Sequence, residues 1–263
     1  MARISKQDMK KHLAACEMIN SKDDLNVSQR DYIIENWNPM AEHNVGWNAA
    51  FFTPMGVARD LMIETLKKNN KRVLDLCAGV GRLAYTMWKQ SLWGNESEKL
   101  ELVCIEMNYE FARVGQRVLP EATWIRGDIF EESTFKNIGK FDEVISNPPY
   151  GVKVSKNGWL CKDLSQYMAA EVAMKLAPVA TFILGQADCP FKMSGVPSFQ
   201  MVHNERYEKW SKKTGIVFDH NCGLDLSHSN GEWVGLGNGM QFEIVNVSKP
   251  NAAVSDDGQM SIF

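Results

Sequence analysis

The tetrapeptide Asn147-Pro148-Pro149-Tyr150 directly follows the short apolar segment DEVIS. Its two prolines hold the backbone extended, so the Asn147 side-chain oxygen and the Pro148 carbonyl become neighbouring acceptors. Two adjacent acceptors suit a planar NH2 group, and the Tyr150 ring offers a face on which a planar base or amide could stack. We therefore expect an amine-binding loop at a strand end, although the four residues in isolation favour an ordinary proline turn with a buried tyrosine.

A second cluster of candidate ligand-binding residues lies in VLDLCAGVGRLAY. Asp75 ends an apolar run, and Gly79 and Gly81 then turn the chain into a helix, where glycines let the backbone approach a ligand closely. Glu106 and Asp128 end the next two apolar runs. A carboxylate after the second strand can accept from both hydroxyls of a ribose. Three acids at the tips of three successive strands therefore predict an adenosine-type ligand, and simple capping of strand ends is the alternative.

The elements that must position these residues alternate along the chain. RVLDLC, LELVCIE, ATWIRGD, FDEVISN and VATFILG are short apolar runs, and helix-like stretches at residues 82–92, 109–118 and 164–176 lie between them. This alternation predicts a doubly wound, mostly parallel α/β sheet. Further on, GIVFDH and MQFEIVNV are expected to form an antiparallel edge, after a loop-like QADCPFKMSGVPSF and a polar helix in ERYEKWSKK.

The N-terminal part of the chain is predicted to be helical. Amphipathic runs begin near Ser5 and Ser28, and a third helix is expected from Thr53-Pro54 through Leu66, with Pro54 at its first position after a Thr cap. The predicted organisation is a helical extension over residues 1–50, an α/β catalytic domain over 51–248 and a flexible tail over 249–263.

Composition narrows the class of protein further. Among 263 residues, with a net charge of −3, no apolar stretch approaches a membrane span, and the start MARISKQDMKKH lacks a signal-peptide core. The six cysteines are scattered without a C-x-x-C pair, and the five histidines have no metal-ligand spacing. We expect a cytoplasmic protein without disulfides or a metal. Any nucleic-acid partner must be argued from a site, because the chain as a whole is not basic.

In this order, the motifs resemble those of class I S-adenosylmethionine-dependent methyltransferases that modify the exocyclic N6 amine of adenine in DNA. The resemblance covers about residues 44–185 and includes Phe51-Phe52-Thr53-Pro54, which is similar to the F-x-T-P segment that closes over the methionine end of the cofactor. It implies a Rossmann-like fold, S-adenosylmethionine as cofactor, and a flipped adenine in DNA as substrate. A restriction-modification, regulatory or mobile-element role stays open.

The resemblance also implies roles for individual residues. The turn of Asp75, Ala78, Gly79 and Gly81 would cradle the methionine part of the cofactor, Glu106 would hold the ribose, and Asp128 would bind the adenine amine. The implied cofactor-binding set is Phe52, Thr53, Pro54, Asp75, Ala78, Gly79, Gly81, Glu106, Met107, Asp128, Ile129 and Asn147. The implied catalytic loop consists of Asn147, Pro148, Pro149 and Tyr150, with Tyr150 stacking on the flipped base.

The segment after the tetrapeptide is a candidate nucleic-acid contact. Lys153, Lys156 and Lys162 lie there without any intervening acid, so they could grip phosphates and bring Trp159 near the bases. An ordinary solvated loop is the alternative. Only 78 residues follow residue 185 (263 − 185), so a separate target-recognition domain does not fit. We expect short, loose or partner-supplied specificity.

The last five residues carry a separate prediction. Gln259, Met260, Ser261, Ile262 and Phe263 resemble the short Q-L-x-L-F peptide by which bacterial replication and repair proteins dock on the sliding clamp. A tethered glutamine would donate and accept amide hydrogen bonds while the apolar side chains fill a groove. A terminal strand packed on the domain is the alternative. The peptide favours a bacterial, phage or plasmid context.

Three further functions stay open at this stage. The same tetrapeptide serves methylation of an RNA guanine amine or of a protein glutamine amide, and a catalytically silent methyltransferase-like subunit would keep the fold alone. The Phe51-Phe52-Thr53-Pro54 segment, and the lack of an obvious RNA-binding appendage, favour DNA.

Overall fold

A seven-stranded sheet in the order β3-β2-β1-β4-β5-β9-β8 organises the protein. A computed structural model describes residues 4–41, 51–65, 71–93, 99–154, 160, 162–233 and 240–250. The strands are β1 Lys71–Leu76, β2 Leu100–Glu106, β3 Thr123–Arg126, β4 Glu143–Ser146, β5 Val179–Gly185, β6 Phe191–Lys192, β7 Gln200–Met201, β8 Val217–His220 and β9 Phe242–Ser248. The helices are α1 Lys6–Asn20, α2 Val27–Asn36, α3 Met55–Glu64, α4 Arg82–Ser91, α5 Tyr109–Val118, α6 Ser165–Leu176 and α7 Glu205–Thr214.

Strands β1 to β5 all pair in parallel, and the chain reverses its direction of travel across the sheet between β1 and β4. From β1 it moves outward to β3, then returns to place β4 on the other side of β1. This arrangement confirms the predicted doubly wound sheet. It also opens a crevice at the carboxyl ends of β1 and β4, where ligands of such sheets bind.

The far side of the sheet carries the predicted antiparallel edge. β9 pairs antiparallel with both β5 and β8, which confirms the prediction for MQFEIVNV and GIVFDH. ERYEKWSKK lies in α7, as expected for a polar helix whose Tyr207 and Trp210 are its buried residues. The segment QADCPFKMSGVPSF contains a short 3-10 helix, Gln186–Asp188, and the small strand β6, so it is more ordered than the loop that we predicted.

Two N-terminal helices pack against α5. Ser5 caps α1 by accepting from the Asp8 N–H, and Asn26 begins α2 in a capping box with Gln29. The Arg117 side chain of α5 donates to carbonyls at the end of α1 and in the loop that follows it. The predicted helices of this region are therefore present.

The start of α3 differs from the prediction. Pro54 is the N-cap residue rather than the first helical residue, and no side chain caps this helix. The Thr53 hydroxyl accepts a hydrogen bond from Asn147 instead. The Thr53 hydroxyl, which the local sequence predicted as a helix cap, therefore forms a tertiary hydrogen bond. Leu66, which was predicted to lie within this helix, is outside the described residues.

No helix in the described part of the chain is both long enough and apolar enough to cross a membrane. The division into an extension over 1–50, a domain over 51–248 and a tail over 249–263 stays a prediction. Residues 251–263, which include the clamp-like peptide, lie outside the described residues.

An aromatic cluster joins the N-terminal helices to the cleft. The Trp37 ring is 2% exposed, with centroids 6.0 Å from Phe52 and 5.8 Å from Phe111. Trp37→Ala should lower the free energy of unfolding by about 3–5 kcal/mol, because it leaves a large cavity in this cluster. Urea denaturation measures the change. Leu13→Ala is the control, because Leu13 is 54% exposed and its removal should change the free energy of unfolding little. Equal losses of stability in the two variants would contradict a core role for Trp37.

Candidate functional site

A cleft that is partly open to solvent lies at the crevice between β1 and β4. The predicted residues that line it are Phe52, Thr53, Asp75, Ala78, Gly79, Glu106, Met107, Asp128, Ile129, Asn147, Pro148 and Pro149. Pro54, Gly81 and Tyr150 do not line it. Residues far apart in the chain therefore meet where the topology predicts a ligand.

Asp75 is a buried carboxylate in this cleft, with 1% exposure. Its Oδ2 accepts from the Ala84 N–H at 3.0 Å, whereas its Oδ1 is buried without a hydrogen-bond partner. Burial, helped by repulsion from Glu106, raises the pKa of Asp75 to about 7. A buried acceptor of this kind is suited to a cationic ligand group, which would favour its ionised form.

The turn after β1 requires left-handed backbone at three positions. Cys77, Gly79 and Gly81 have φ values of 68°, 57° and 84°. A Cβ on Gly81 would approach the Trp124 ring at 3.0 Å, so any larger residue would be both strained and crowded. Gly81 therefore shapes the turn at the start of α4, while Gly79 lies on the wall of the cleft.

Glu106 ties this turn to the neighbouring strand. Its two oxygens accept from the Gly79 N–H at 2.8 Å and the Asn108 N–H at 2.7 Å. Burial raises its pKa, although these backbone hydrogen bonds oppose the shift. Asp128 lies two residues beyond the end of β3, and its Oδ1 accepts from the Phe130 N–H at 2.9 Å. Both acids line the cleft, with backbone amides fixing their orientation.

The Asn147 amide is fixed by a segment that precedes the sheet. Its Nδ2 donates to the Phe51 carbonyl at 2.8 Å and to the Thr53 Oγ1 at 2.9 Å. Because both donor hydrogens are used, the side-chain oxygen is identified as the acceptor of Asn147; it accepts from the Tyr150 hydroxyl and has a second lone pair for another donor. Pro148 lines the same cleft as Asn147. That the Asn147 side-chain oxygen and the Pro148 carbonyl bind one amine together stays a prediction.

Tyr150 occupies a different position from the predicted one. Its ring is 9% exposed and is enclosed by Phe51, at a centroid distance of 6.2 Å, and Phe242, at 5.6 Å. Its hydroxyl lies within hydrogen-bond distance of two acceptors, Asn147 Oδ1 and the Ile183 carbonyl, which share its single hydrogen. Burial raises the pKa of Tyr150 well above its ordinary value. The expectation of an open stacking face does not hold here, because the ring packs in the core and its hydroxyl contacts Asn147.

Several lining residues were not predicted from the sequence, notably Arg82, Asn108 and Phe111, whereas Phe51 was predicted as part of the F-x-T-P-like segment. Asn108 is recognisable only in retrospect, as the N-cap of α5 two residues after Glu106. Arg82 carried one signal, a charge at the start of an otherwise apolar helix segment. Among the described residues, no cluster of His, Cys, Asp and Glu has the arrangement of a metal site.

The predicted nucleic-acid contacts are only partly described. Lys153 and Lys162 are exposed in the segment after the tetrapeptide, and Lys153 forms an isolated β-bridge with Leu164. Lys156 and Trp159 lie outside the described residues, as do Gln259, Met260, Ile262 and Phe263 of the clamp-like peptide. Their roles stay predictions.

Comparison with protein families matches residues 53–175 to the methyltransferase small domain. Ribosomal RNA small subunit methyltransferase C of Erwinia tasmaniensis is 30% identical over 123 residues, which are 44% of this chain and 34% of that protein. Its counterpart from Klebsiella pneumoniae is 30% identical over 98 residues, 36% of this chain and 27% of that protein. The chain thus spans about a third or less of the length of these curated relatives.

Solved structures share the fold across most of the chain. A protein assigned to the class I S-adenosylmethionine-dependent methyltransferases, from Listeria monocytogenes, has a TM-score of 0.55 at 15% identity, covering 90% of this chain and 74% of its own. The methyltransferase subunit of a type I restriction-modification system from Streptococcus thermophilus has a TM-score of 0.54 at 12% identity, covering 85% and 48%. The fold is therefore the Rossmann-like methyltransferase fold.

The proteins that share this fold include S-adenosylmethionine-dependent methyltransferases, and the residues of the cleft fit that cofactor. The unpartnered Asp75 Oδ1 suits its ammonium group, and the left-handed turn at Gly79 leaves the backbone open to close approach. Glu106 and Asp128 supply acceptors, and buried Ile129 supplies an apolar surface for a flat base. Each element of the predicted cofactor set other than Pro54 and Gly81 lies on this wall.

The raised pKa of Asp75 gives a pH-dependent prediction. Because the folded-state pKa is about 7 against an ordinary 3.8, the folded protein holds this proton more tightly, and stability falls as the pH rises through that window. In the ligand-free protein, Asp75→Asn should therefore gain roughly 3 kcal/mol relative to wild type between about pH 5 and pH 8. Urea denaturation at both pH values measures this difference.

Asp225→Asn is the matched control for that measurement. Hydrogen bonding to Ser227 holds the pKa of Asp225 below 3.8, so this acid stays ionised in folded and unfolded protein alike over the same range. Its effect on stability should be independent of pH there. A pH-independent effect of Asp75→Asn would contradict the assignment of a raised pKa to Asp75.

Proposed function

We propose that this protein transfers a methyl group from S-adenosylmethionine to the exocyclic N6 amine of a flipped adenine in DNA. The observation that supports this most directly is that Asn147, whose amide nitrogen is held by Phe51 and Thr53, lines the cleft together with Pro148. Two fixed acceptors match the two hydrogens of an aromatic amine. The Phe51-Phe52-Thr53-Pro54 segment, which contacts Asn147, supports DNA adenine as the acceptor.

The chain's own residues account for the demands of this reaction. When bound, S-adenosylmethionine supplies an activated methyl group on a sulfonium. An aromatic amine is a weak nucleophile because its lone pair is delocalised into the ring. Hydrogen bonds to Asn147 and Pro148 favour a tetrahedral nitrogen and stabilise the positive charge that develops on it. Anchoring of Asn147 by Phe51 and Thr53 keeps these acceptors in place before substrate arrives.

Access to the amine requires the adenine to leave the double helix, since N6 is paired there. With Tyr150 buried, Phe51 is the half-buried aromatic residue on the cleft beside Asn147. We assign to Phe51 the contact with the flipped base. Exposed Lys153 and Lys162 follow the tetrapeptide and are suited to the phosphates on either side of that base.

Methylation of an RNA guanine amine is a second candidate. Two acceptors fit the N2 amine of guanine as well as the N6 amine of adenine, and the curated relatives are ribosomal RNA methyltransferases. Those relatives extend well beyond the matched region, so their substrate is a proposal here. Methylation of a protein glutamine amide would use the same two acceptors.

The substrate class is tested by incubating the protein with tritiated S-adenosylmethionine and separate pools of DNA, RNA and protein. We expect label in DNA, recovered as N6-methyladenine after nucleoside analysis. Label in N2-methylguanine would identify RNA as the substrate, and label in protein would identify a glutamine amide. Absence of label in every pool would contradict the proposed activity and leave a silent methyltransferase-like subunit.

Asn147→Ala should lower the methylation rate at least about 100-fold, because it removes one of the two acceptors that stabilise the reacting amine. Binding of S-adenosylhomocysteine, measured by calorimetry, should change little. Asn36→Ala is a matched control, since Asn36 is an asparagine of α2 that donates to the Tyr32 carbonyl. Methylation at the wild-type rate by the Asn147 variant would rule out its catalytic role.

Tyr150→Phe separates a positioning role from a stacking role. The variant keeps the ring but loses the hydroxyl that contacts Asn147, so kcat should fall about tenfold while cofactor affinity is retained. Tyr167→Phe is the control, because the Tyr167 hydroxyl donates to the Asp188 carbonyl and not to Asn147. Full activity of Tyr150→Phe together with loss of activity in Tyr150→Leu would instead indicate a role for the ring alone.

A further inference from the structure

The tetrapeptide of residues 147–150 has few backbone donors with which to hold its own shape. Pro148 and Pro149 carry no N–H, so two of its four residues cannot donate a backbone hydrogen bond. Its first residue, Asn147, is held through its side chain by the segment that precedes the sheet. The position of the Pro148 carbonyl therefore depends also on what holds the other end of the loop.

The first two residues of α6 hold that other end. The Ser165 hydroxyl donates to the Pro149 carbonyl at 2.7 Å, and its second possible acceptor, Gln166 Oε1, is farther away at 3.4 Å. Gln166 Oε1 accepts from the Gly151 N–H at 3.1 Å. The loop is thus bound on both sides of Tyr150, at the carbonyl before it and at the amide after it.

Ser165 and Gln166 are polar, yet both are 0% exposed. Helix α6 begins after Leu164 without a side-chain cap, so these two polar groups serve the loop rather than the start of their own helix. The Ser165 N–H also donates to the Val152 carbonyl at 2.8 Å. The first turn of α6 therefore binds the chain on both sides of Gly151.

Gln166 is the less favourable of the two side chains to bury. Among the described residues its Nε2 has no hydrogen-bond partner. Burial raises the pKa of Asp188, and the nearby Gln166 side chain partly opposes that shift. A glutamate at position 166 would also offer an acceptor to Gly151, but it would place a second acid beside Asp188. The acceptor oxygen thus explains a buried amide here, and the neighbouring acid explains why it is not a carboxylate.

Gly151 depends on this hydrogen bond for its orientation. Its φ of 71° is left-handed, and apart from its chain neighbours no atom of the described residues lies within 4 Å of the place where a Cβ would stand. Packing therefore does not hold this exposed residue. Loss of the Gln166 acceptor would leave the end of the loop free to move.

We propose that Ser165 and Gln166 are positioning residues for methyl transfer, which hold the two acceptors of the tetrapeptide against the reacting amine. The proposal rests on the proposed function, which assigns those acceptors to Asn147 and Pro148. Neither Ser165 nor Gln166 is among the described residues that line the cleft, so both act through the loop and not on the substrate. Because two acceptors must meet two N–H bonds of one amine, a small displacement of the loop weakens both contacts.

Hydrogen exchange of the Gly151 amide, followed by NMR, tests the contact without any turnover. Since Gly151 is exposed, its amide should exchange slowly only because Gln166 accepts from it. Gln166→Met should speed this exchange at least about tenfold. The amide of buried Ala15 in α1 should exchange as in the wild type. Equally fast exchange of Gly151 in the wild type and in the variant would overturn the proposal.

Methylation kinetics test the role of the contact. Gln166→Met and Ser165→Ala should each lower kcat about tenfold, while KM for the acceptor and affinity for S-adenosylhomocysteine change little. Ser165→Thr keeps the hydroxyl and should restore most of the lost rate. Met168→Ala is the matched control, because Met168 is an equally buried residue of α6 whose side chain has no hydrogen-bond donor. Circular dichroism establishes folding of each variant.

The possible outcomes separate positioning of the loop from general support of the fold. An unchanged kcat in either folded variant overturns the role of that residue, and an equal fall of kcat in Met168→Ala overturns the proposal as a whole. If Gln166→Met does not fold, the Ser165 pair decides: loss in Ser165→Ala with recovery in Ser165→Thr supports the proposal, and equal rates overturn it. A wild-type protein that protects the Gly151 amide but methylates nothing would overturn the proposed function, and with it this role, while leaving the contact itself established.

Discussion

The adjacency of β1 and β4 is the constraint on which the site depends. Because the chain reverses its direction across the sheet at this point, the carboxyl ends of the two strands leave a crevice that no crossover helix covers. Asp75 lies near the end of one strand and Asn147 directly follows the other. Cofactor-binding and amine-binding groups thus come from neighbouring strands that are distant in the sequence.

Burial in the cleft shifts the pKa values of its few charged groups. Asp75 and Arg82 are both buried, and desolvation raises the pKa of one and lowers that of the other. The backbone compensates only partly, through the Ala84 N–H and two carbonyls. Burial thus disfavours the charged form of each group, and a ligand of opposite charge would favour that form.

Sequence reasoning predicted the parts of the site that depend on local pattern. Alternating apolar runs and helices predicted the sheet, and acids after successive strands predicted the positions of Glu106 and Asp128. The roles of Thr53, Tyr150 and Arg82 were not predictable in this way. Each is set by a contact with a residue far away in the chain, and a local pattern carries no information about such partners. The local pattern predicted that Thr53 caps a helix and that Tyr150 stacks on a base. In the structure, both side chains form tertiary hydrogen bonds instead.

The aromatic contacts around Trp37 have a thermodynamic consequence. Phe52 and Phe111 line the cleft with one part of their surface and pack against Trp37 with another, so they belong both to the ligand site and to the junction with α2. Any molecule that binds only the folded cleft adds its binding free energy to the stability of this junction. A ligand of the folded cleft would therefore also make separation of the N-terminal helices from it rarer, and would protect them from proteases.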